Sequence, residues 1–132
     1  MLVGIAYEMG RQSMAMAEAK DRDGWLGLFA EDGMVQDPVG PSVFDPDGIG
    51  HRGIAAITAF YDNVISTSES VRFEMRQWAE GGSECAFAGT ITITLPGGKK
   101  GQVDLINVYR VTDDGKIASL RSFWEFDKLS FA

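Results

Sequence analysis

A single cysteine, Cys85, leaves the chain without a disulfide framework or a multi-cysteine metal site, and a single histidine, His51, weakens any histidine-rich metal or histidine-based triad reading. Positive charge is also scarce. Twelve Lys and Arg stand against nineteen Asp and Glu, a formal net charge of -7 that repels polyanions at long range. The basic residues are scattered and no nucleic-acid module signature occurs, so nucleic acid is not an expected partner. Nothing approaches the roughly 18 consecutive apolar residues of a membrane span. Met1-Leu2-Val3-Gly4-Ile5 is followed by Glu8 and Arg11, which gives neither a basic leader nor a long apolar stretch. These absences together imply a cytoplasmic protein with no metal, no cofactor and no membrane contact. Repeats, linkers and low-complexity tracts are missing as well.

What remains is an ordinary globular composition, 45% apolar and 23% charged. At 132 residues it predicts one domain over residues 1–132 with a core of its own. Residues 4 to 20 read as a helix, with Leu2, Ile5, Met9, Ser13 and Met16 at the spacing of one face; Gly10 is unfavourable there. A second helix is expected from about Asp23 to Ala30, capped by Asp21 or Asp23, with Trp25, Leu28 and Phe29 inward. Met34 to Asp37 reads as a short strand stopped by Pro38. Residues 38 to 53, rich in Pro, Gly and Asp, read as a long and therefore functional loop. A third helix follows from Ile54 to Ile65, with Ile54, Ile57, Tyr61 and Val64 along one side and Phe60 beside them.

From Ser70 the period changes to two. Val71, Phe73 and Met75 alternate with Arg72, Glu74 and Arg76, and Cys85, Phe87, Gly89, Ile91 and Ile93 alternate with Ala86, Ala88, Thr90 and Thr92. Turns at Leu95–Lys99 and Asp113–Lys116 fold these strands into a meander, the last strand spanning about Lys116 to Phe126. The order ααβαββββ predicts an α+β fold, helices packed on one face of a curved antiparallel sheet with a pocket at its mouth.

Two positions point to chemistry on their own residues. Asp37 ends an apolar strand ahead of Pro38, where the ordinary role of an aspartate is to start a turn. Asn107 lies between Ile106 and Val108, inside a strand where asparagine is depleted, and a neutral amide donates hydrogen bonds without any pKa shift. Tyr109 shares its strand face with Asn107. Asp104 faces the other way, toward solvent or a second subunit. His51, in its Gly-rich loop, reads as a surface residue, and Cys85 as a small core residue.

The runs Leu28-Phe29-Ala30-Glu31-Asp32, Val35-Gln36-Asp37-Pro38-Val39-Gly40, His51-Arg52-Gly53, Phe60-Tyr61, Val103 to Val111 and Ser119 to Trp124 resemble the ketosteroid isomerase family (steroid delta-isomerases). That family belongs to the NTF2-like, SnoaL-like superfamily, and the resemblance covers roughly residues 10 to 126. It implies a cone with an apolar pocket, no cofactor, and assembly as a homodimer through the outer sheet face of Ala86, Ala88, Thr90 and Thr92. It implies a carboxylate that moves a proton along a dienolate while two hydrogen-bond donors hold the oxyanion. Asp37 matches the base. The family's donors, a tyrosine and a protonated aspartate, fall at Ser13 and Asn107. Ser13 is several Å shorter than a phenol, and Tyr61 matches a tyrosine near the donor network, which makes it the expected replacement. Trp124 matches a pocket tryptophan beside the base. Tyr109, Phe60, Phe87 and Val103 are expected to line the substrate pocket, with Phe44 and Met34.

The function so implied is a shift of a carbon–carbon double bond into conjugation with a ketone in a flat, steroid-like substrate. Two alternatives stand beside it: a non-catalytic steroid or lipid binder, favoured by the missing tyrosine, and a polyketide-cyclase-like acid/base enzyme. Epoxide opening by paired aspartates flanking an arginine is disfavoured, because no Arg-x-Asp triplet surrounds Asn107.

Overall fold

The computed structural model describes residues 4–131, so the expected inward position of Leu2 lies outside the described residues. Helix α1 runs from Ile5 to Ala19 and ends on Lys20, whose φ of 56° turns the chain away. Its buried face is Ala6, Gly10, Ser13, Met14 and Ala17. The expected face through Ile5, Met9 and Met16 is only half-buried. The reason is proximity: small residues let α1 lie close against the sheet. A Cβ on Gly10 would stand 2.5 Å from Phe87 Cε2 and 2.9 Å from Tyr109 Cδ2. Gly10→Ala is therefore expected to destabilise the fold. Overpacking costs about 1–3 kcal/mol and outweighs the roughly 1 kcal/mol that alanine gains in helix propensity. Urea unfolding of the variant beside the parent checks this.

Helix α2 is shorter than expected, Arg22–Gly27, with the Asp21 carboxylate accepting from Gly24 N at 3.0 Å as its cap. Strand β1 then begins early, at Phe29, and runs to Gln36. Phe29 and Ala30 leave the helix because Ile117 N donates to Leu28 O at 2.8 Å and draws the chain into the sheet. Within residues 38 to 53 a two-residue strand β2, His51–Arg52, pairs with Met34 and Val35. Helix α3 covers Ile54–Asn63 and a 3₁₀ turn, Ile65–Thr67, takes its last expected residues.

Four long strands complete the chain as a meander: β3 (Ser70–Gly81), β4 (Glu84–Thr94), β5 (Lys100–Val111) and β6 (Ile117–Phe123). The last is shorter than expected, and a short β7, Ser130–Phe131, pairs with Gly101 and Gln102 of β5. The order is β2-β1-β6-β5-β4-β3, antiparallel except between β1 and β6, which run parallel. That parallel pair needs the whole intervening chain as its crossover, and it brings the end of β1 beside the end of β6.

Curvature is built in at Gly89. The β3–β4 register slips between Met75 and Gln77, and a Cβ at Gly89 would meet Glu74 O at 2.1 Å. A bulge facing a glycine bends the sheet around the helices. The inner face of β4 and β5 alternates as expected, with Cys85, Phe87, Val103, Leu105, Asn107 and Tyr109 buried. The core closes over Trp25, Phe87, Ile57 and Ile117. Asp104 is exposed on the outer face, 3.5 Å from Arg76, and accepts from Thr90 Oγ1 at 2.6 Å.

Candidate active site

Between α1 and the concave sheet lies a cavity of about 260 Å³. Its walls are mostly apolar, among them Phe73, Ile91, Ile93, Val103 and Leu105, with Phe44, Phe126 and Leu129 also lining it. The polar groups on its wall include Asp37, Asn107, Tyr109, Ser13 and Ser122, with Thr67, Ser68 and the Trp25 and Trp124 indoles. Hydrogen bonds among them place most of these groups together.

Asp37 follows the last residue of β1, and the parallel pairing of Gln36 with Arg121 sets it next to β6. Val39 N donates to Ser122 O at 2.8 Å and fixes the chain beyond it. Trp124 Nε1 donates to Asp37 Oδ1 at 2.7 Å. Protein surrounds the carboxyl while part of its surface faces the cavity. Burial pushes its pKa up to about 6, against the opposing hydrogen bonds from Trp124 and Ser122. A carboxylate with that pKa is ionised at neutral pH yet basic enough to take a proton from carbon, the balance a general base requires.

Asn107 is fixed from two sides. Its Oδ1 accepts from the hydroxyl of Ser122, its cross-strand partner, and its Nδ2 faces Met14 Sδ at 3.9 Å. The reverse orientation would set a carbonyl against the thioether, two acceptors, so the amide N–H₂ is the group held toward the sulfur. Thioether sulfur is a weak acceptor, which leaves the amide with donor capacity on the cavity wall.

Ser13 Oγ accepts twice, from Trp25 Nε1 at 3.2 Å and from the Tyr109 hydroxyl at 3.2 Å. The Tyr109 phenol thus reaches from β5 to the position that Ser13 occupies on α1. It is fully buried, and burial, opposed by the Ser13 bond and aided by Asp37, holds its pKa well above the ordinary 10. Tyr109 therefore stays a neutral donor throughout the physiological range.

Tyr61 is not brought to the cavity. Its ring packs on Trp25 at 5.4 Å, so the indole stands on its inner side, and its hydroxyl end belongs with Asp21, Arg22 and Asp62. Burial, and then the charge of Asp21, raise its pKa. Phe60 and Phe87 are also core rather than lining. Phe60 packs on His51 at 4.8 Å, and Phe87 lies beneath α1 between Tyr7 and Tyr109. Met34 sits over Gly50, away from the cavity. His51 is half-buried in β2 rather than a surface loop residue, and burial lowers its pKa. Cys85 is a core residue whose thiol burial pushes up to about 11. Ser13, Asp37, Phe44, Val103, Asn107, Tyr109 and Trp124 do share the cavity wall. Ser122 and Trp25 were not expected in the site. Among the described residues no group of three or more His, Cys, Asp or Glu could hold a metal ion, and no helix is long and apolar enough to cross a membrane.

A cone of helices and curved sheet, closed around a carboxylate in an apolar cavity, defines the class of α+β proteins to which the fold belongs. The SnoaL-like domain model matches residues 11–120. A Δ5-3-ketosteroid isomerase from Mycobacterium sp. is 35% identical over 97% of this chain and 98% of its own, with a TM-score of 0.90. A Mycobacterium tuberculosis protein in complex with estradiol-17beta-hemisuccinate is 31% identical over 96% of this chain and 98% of its own, with a TM-score of 0.88. A computationally designed 17-OHP binder is 30% identical over 97% and 98%, at a TM-score of 0.90. The chain belongs to the SnoaL-like, NTF2-like family that includes the ketosteroid isomerases.

Proposed function

We propose that the chain is a ketosteroid-isomerase-like enzyme that shifts a double bond into conjugation with a ketone in a flat, apolar, steroid-like substrate. The observation that carries this is Asp37, a carboxylate lifted to about 6 on the wall of an apolar cavity whose other polar groups are neutral donors. Asp37 removes the proton on the carbon next to the ketone and the electron pair moves onto oxygen, giving a dienolate. Asp37 then returns the proton to the far carbon of the same dienolate. Asn107 Nδ2–H and the Tyr109 hydroxyl donate to the oxyanion between the two steps; the Tyr109 proton turns from Ser13 Oγ to the substrate oxygen, and Ser13 donates its own proton to the phenol oxygen in return. Tyr109 takes the place first expected of Tyr61, and Ser13 holds the Tyr109 hydroxyl rather than reaching the substrate alone. Trp124 orients the base, and Val103 and Phe44 pack on the ligand.

The test is an absorbance assay of a 5-ene-3-ketosteroid at several protein concentrations. The expected result is growth of the conjugated enone in proportion to protein. Saturable binding without that growth would support the alternative, a steroid or lipid carrier, a reading encouraged by the ligands named for the two neighbours.

We also propose a homodimer through the outer face of β4 and β5. Ala88, Ile106 and Phe123 form one cross-strand row there, and Ile106 and Phe123 are exposed. Light scattering at micromolar concentration should give twice the chain mass; a clean monomer would refute it.

A further inference from the structure

The Ser122 hydroxyl is buried, has one proton, and stands between two groups that both want it. Asn107 Oδ1 accepts from it across the β5–β6 pair, and the Asp37 carboxylate is the second acceptor within its reach. We propose that Ser122 is a positioning residue that couples the protonation of Asp37 to the donor strength of Asn107, resting on the function proposed above.

Before the reaction Asp37 is ionised and draws the Ser122 proton, because a hydrogen bond to a charge is about twice as strong as one between neutral groups. When substrate C–H breaks, its proton goes to an Asp37 oxygen and its electron pair moves to the substrate oxygen. The new Asp37 O–H can then donate to Ser122 Oγ, while Trp124 Nε1 keeps its place on Oδ1. Ser122, now accepting, turns its own proton to Asn107 Oδ1. An amide whose carbonyl accepts a strong hydrogen bond is a stronger N–H donor, since bonds in a chain polarise one another. The amide N–H₂ faces the Met14 sulfur, a weak acceptor, so its strengthened dipole is available to the oxyanion. The proton transfer that creates the oxyanion thus sharpens the group that stabilises it. When Asp37 gives up its proton to the far carbon, the hydroxyl swings back and the oxyanion is gone.

Among the described residues no other polar side chain bridges base and donor in this way. Arg121, next to Ser122, turns to Gln36 Oε1 at 2.8 Å, and Ser13 and Tyr109 bond each other. The titratable groups facing the Asp37–Ser122 pair are Asp37 itself, from the end of β1, and Tyr109, from β5.

Two readouts that need no turnover test the coupling, so a protein that binds without isomerising still gives an answer. The first is the Asp37 titration midpoint, followed by ¹³C NMR of labelled aspartate and assigned with Asp37→Asn. The second is the affinity for 2-naphthol, a planar phenol whose oxygen stands in for the dienolate oxygen. Ser122→Ala is expected to raise the midpoint by about one pH unit, the effect of losing one hydrogen bond to a carboxylate. It is also expected to weaken 2-naphthol by about 10-fold when binding is measured below the Asp37 midpoint, where Asp37 is protonated and Ser122 donates to the Asn107 amide. Circular dichroism and urea unfolding confirm that the variant is folded. A midpoint that stays put, or 2-naphthol affinity within a factor of two of the parent, overturns the coupling. Movement of one without the other means that Ser122 serves a single partner, and that overturns it too.

Discussion

Asp37→Asn should slow isomerisation by at least about 10²-fold, the low end for loss of a general base, and should make the protein more stable at neutral pH. Both effects come from one cause. Burial lifts the Asp37 pKa from 3.8 to about 6. Below about pH 4 the carboxyl is neutral in both folded and unfolded chains and makes no difference between them. As pH rises, the unfolded chain releases its proton first and the folded chain holds on, so the fold loses stability through the interval from about 4 to 6. Above that interval the loss is complete and reaches up to about 3 kcal/mol. Asparagine never ionises, its Oδ1 can keep the Trp124 bond, and its amide can donate to Ser122 Oγ. Urea unfolding of parent and variant at about pH 4 and pH 8 should coincide at the lower pH and separate in favour of the variant at the higher. The parent's rate should fall on the acid side with a midpoint near 6, as the base is protonated. Turnover equal to the parent in Asp37→Asn would remove it as the base. Equal stability at pH 8 would mean the carboxylate is better solvated than its surroundings imply.

The helices on a curved sheet were readable from local chemistry, period-two strands and turn residues at fixed places, whereas Asp37 ahead of Pro38 reads locally as a turn residue and was singled out as a base by the family resemblance. Positions set by close approach were not readable from sequence. The inward face of α1 is its small-residue stripe, since the helix crosses the sheet where Phe87 and Tyr109 leave room only for Gly10. Hydrophobic spacing picks out Ile5, Met9 and Met16 instead, because it weighs apolar character and not size. Tyr61 was placed in the site by a pattern match that cannot see Trp25 beside it. Its replacement, Tyr109, had a legible signal, the period of two from Asn107. Ser122 had one as well: counting outward equally from the Asp113–Lys116 turn pairs it with Asn107. What sequence could not supply was the parallel pairing of β1 with β6, which brings Asp37 to the same spot from the other end of the chain.

Asn107→Leu and Tyr109→Phe carry the second large expectation, a loss of about 2.7–4 kcal/mol of transition-state stabilisation for each donor that is fully engaged, or about 10²- to 10³-fold in rate. The two substitutions differ in what else they disturb. Leucine is close to asparagine in volume and apolar like most of the cavity wall, but it strands the Ser122 hydroxyl on Asp37 alone. Phenylalanine keeps the Tyr109 ring, so the core contact with Phe87 at 5.8 Å survives and only the bond to Ser13 is lost. Tyr109→Phe should therefore fold as well as the parent and be slower. The alkaline side of the parent's pH profile separates this donor pair from one built on a carboxylic acid. The Asn107 amide has no proton to lose, and burial holds Tyr109 above the ordinary phenol range, so the rate should stay flat to about pH 10 and beyond. A carboxylic-acid donor would instead lose its proton and its function as the pH rose. Steady-state rates of the parent and both variants from about pH 5 to pH 10 make the comparison. If both variants turn over within a factor of two of the parent, neither side chain holds the oxyanion, and the cavity's polar groups serve binding alone.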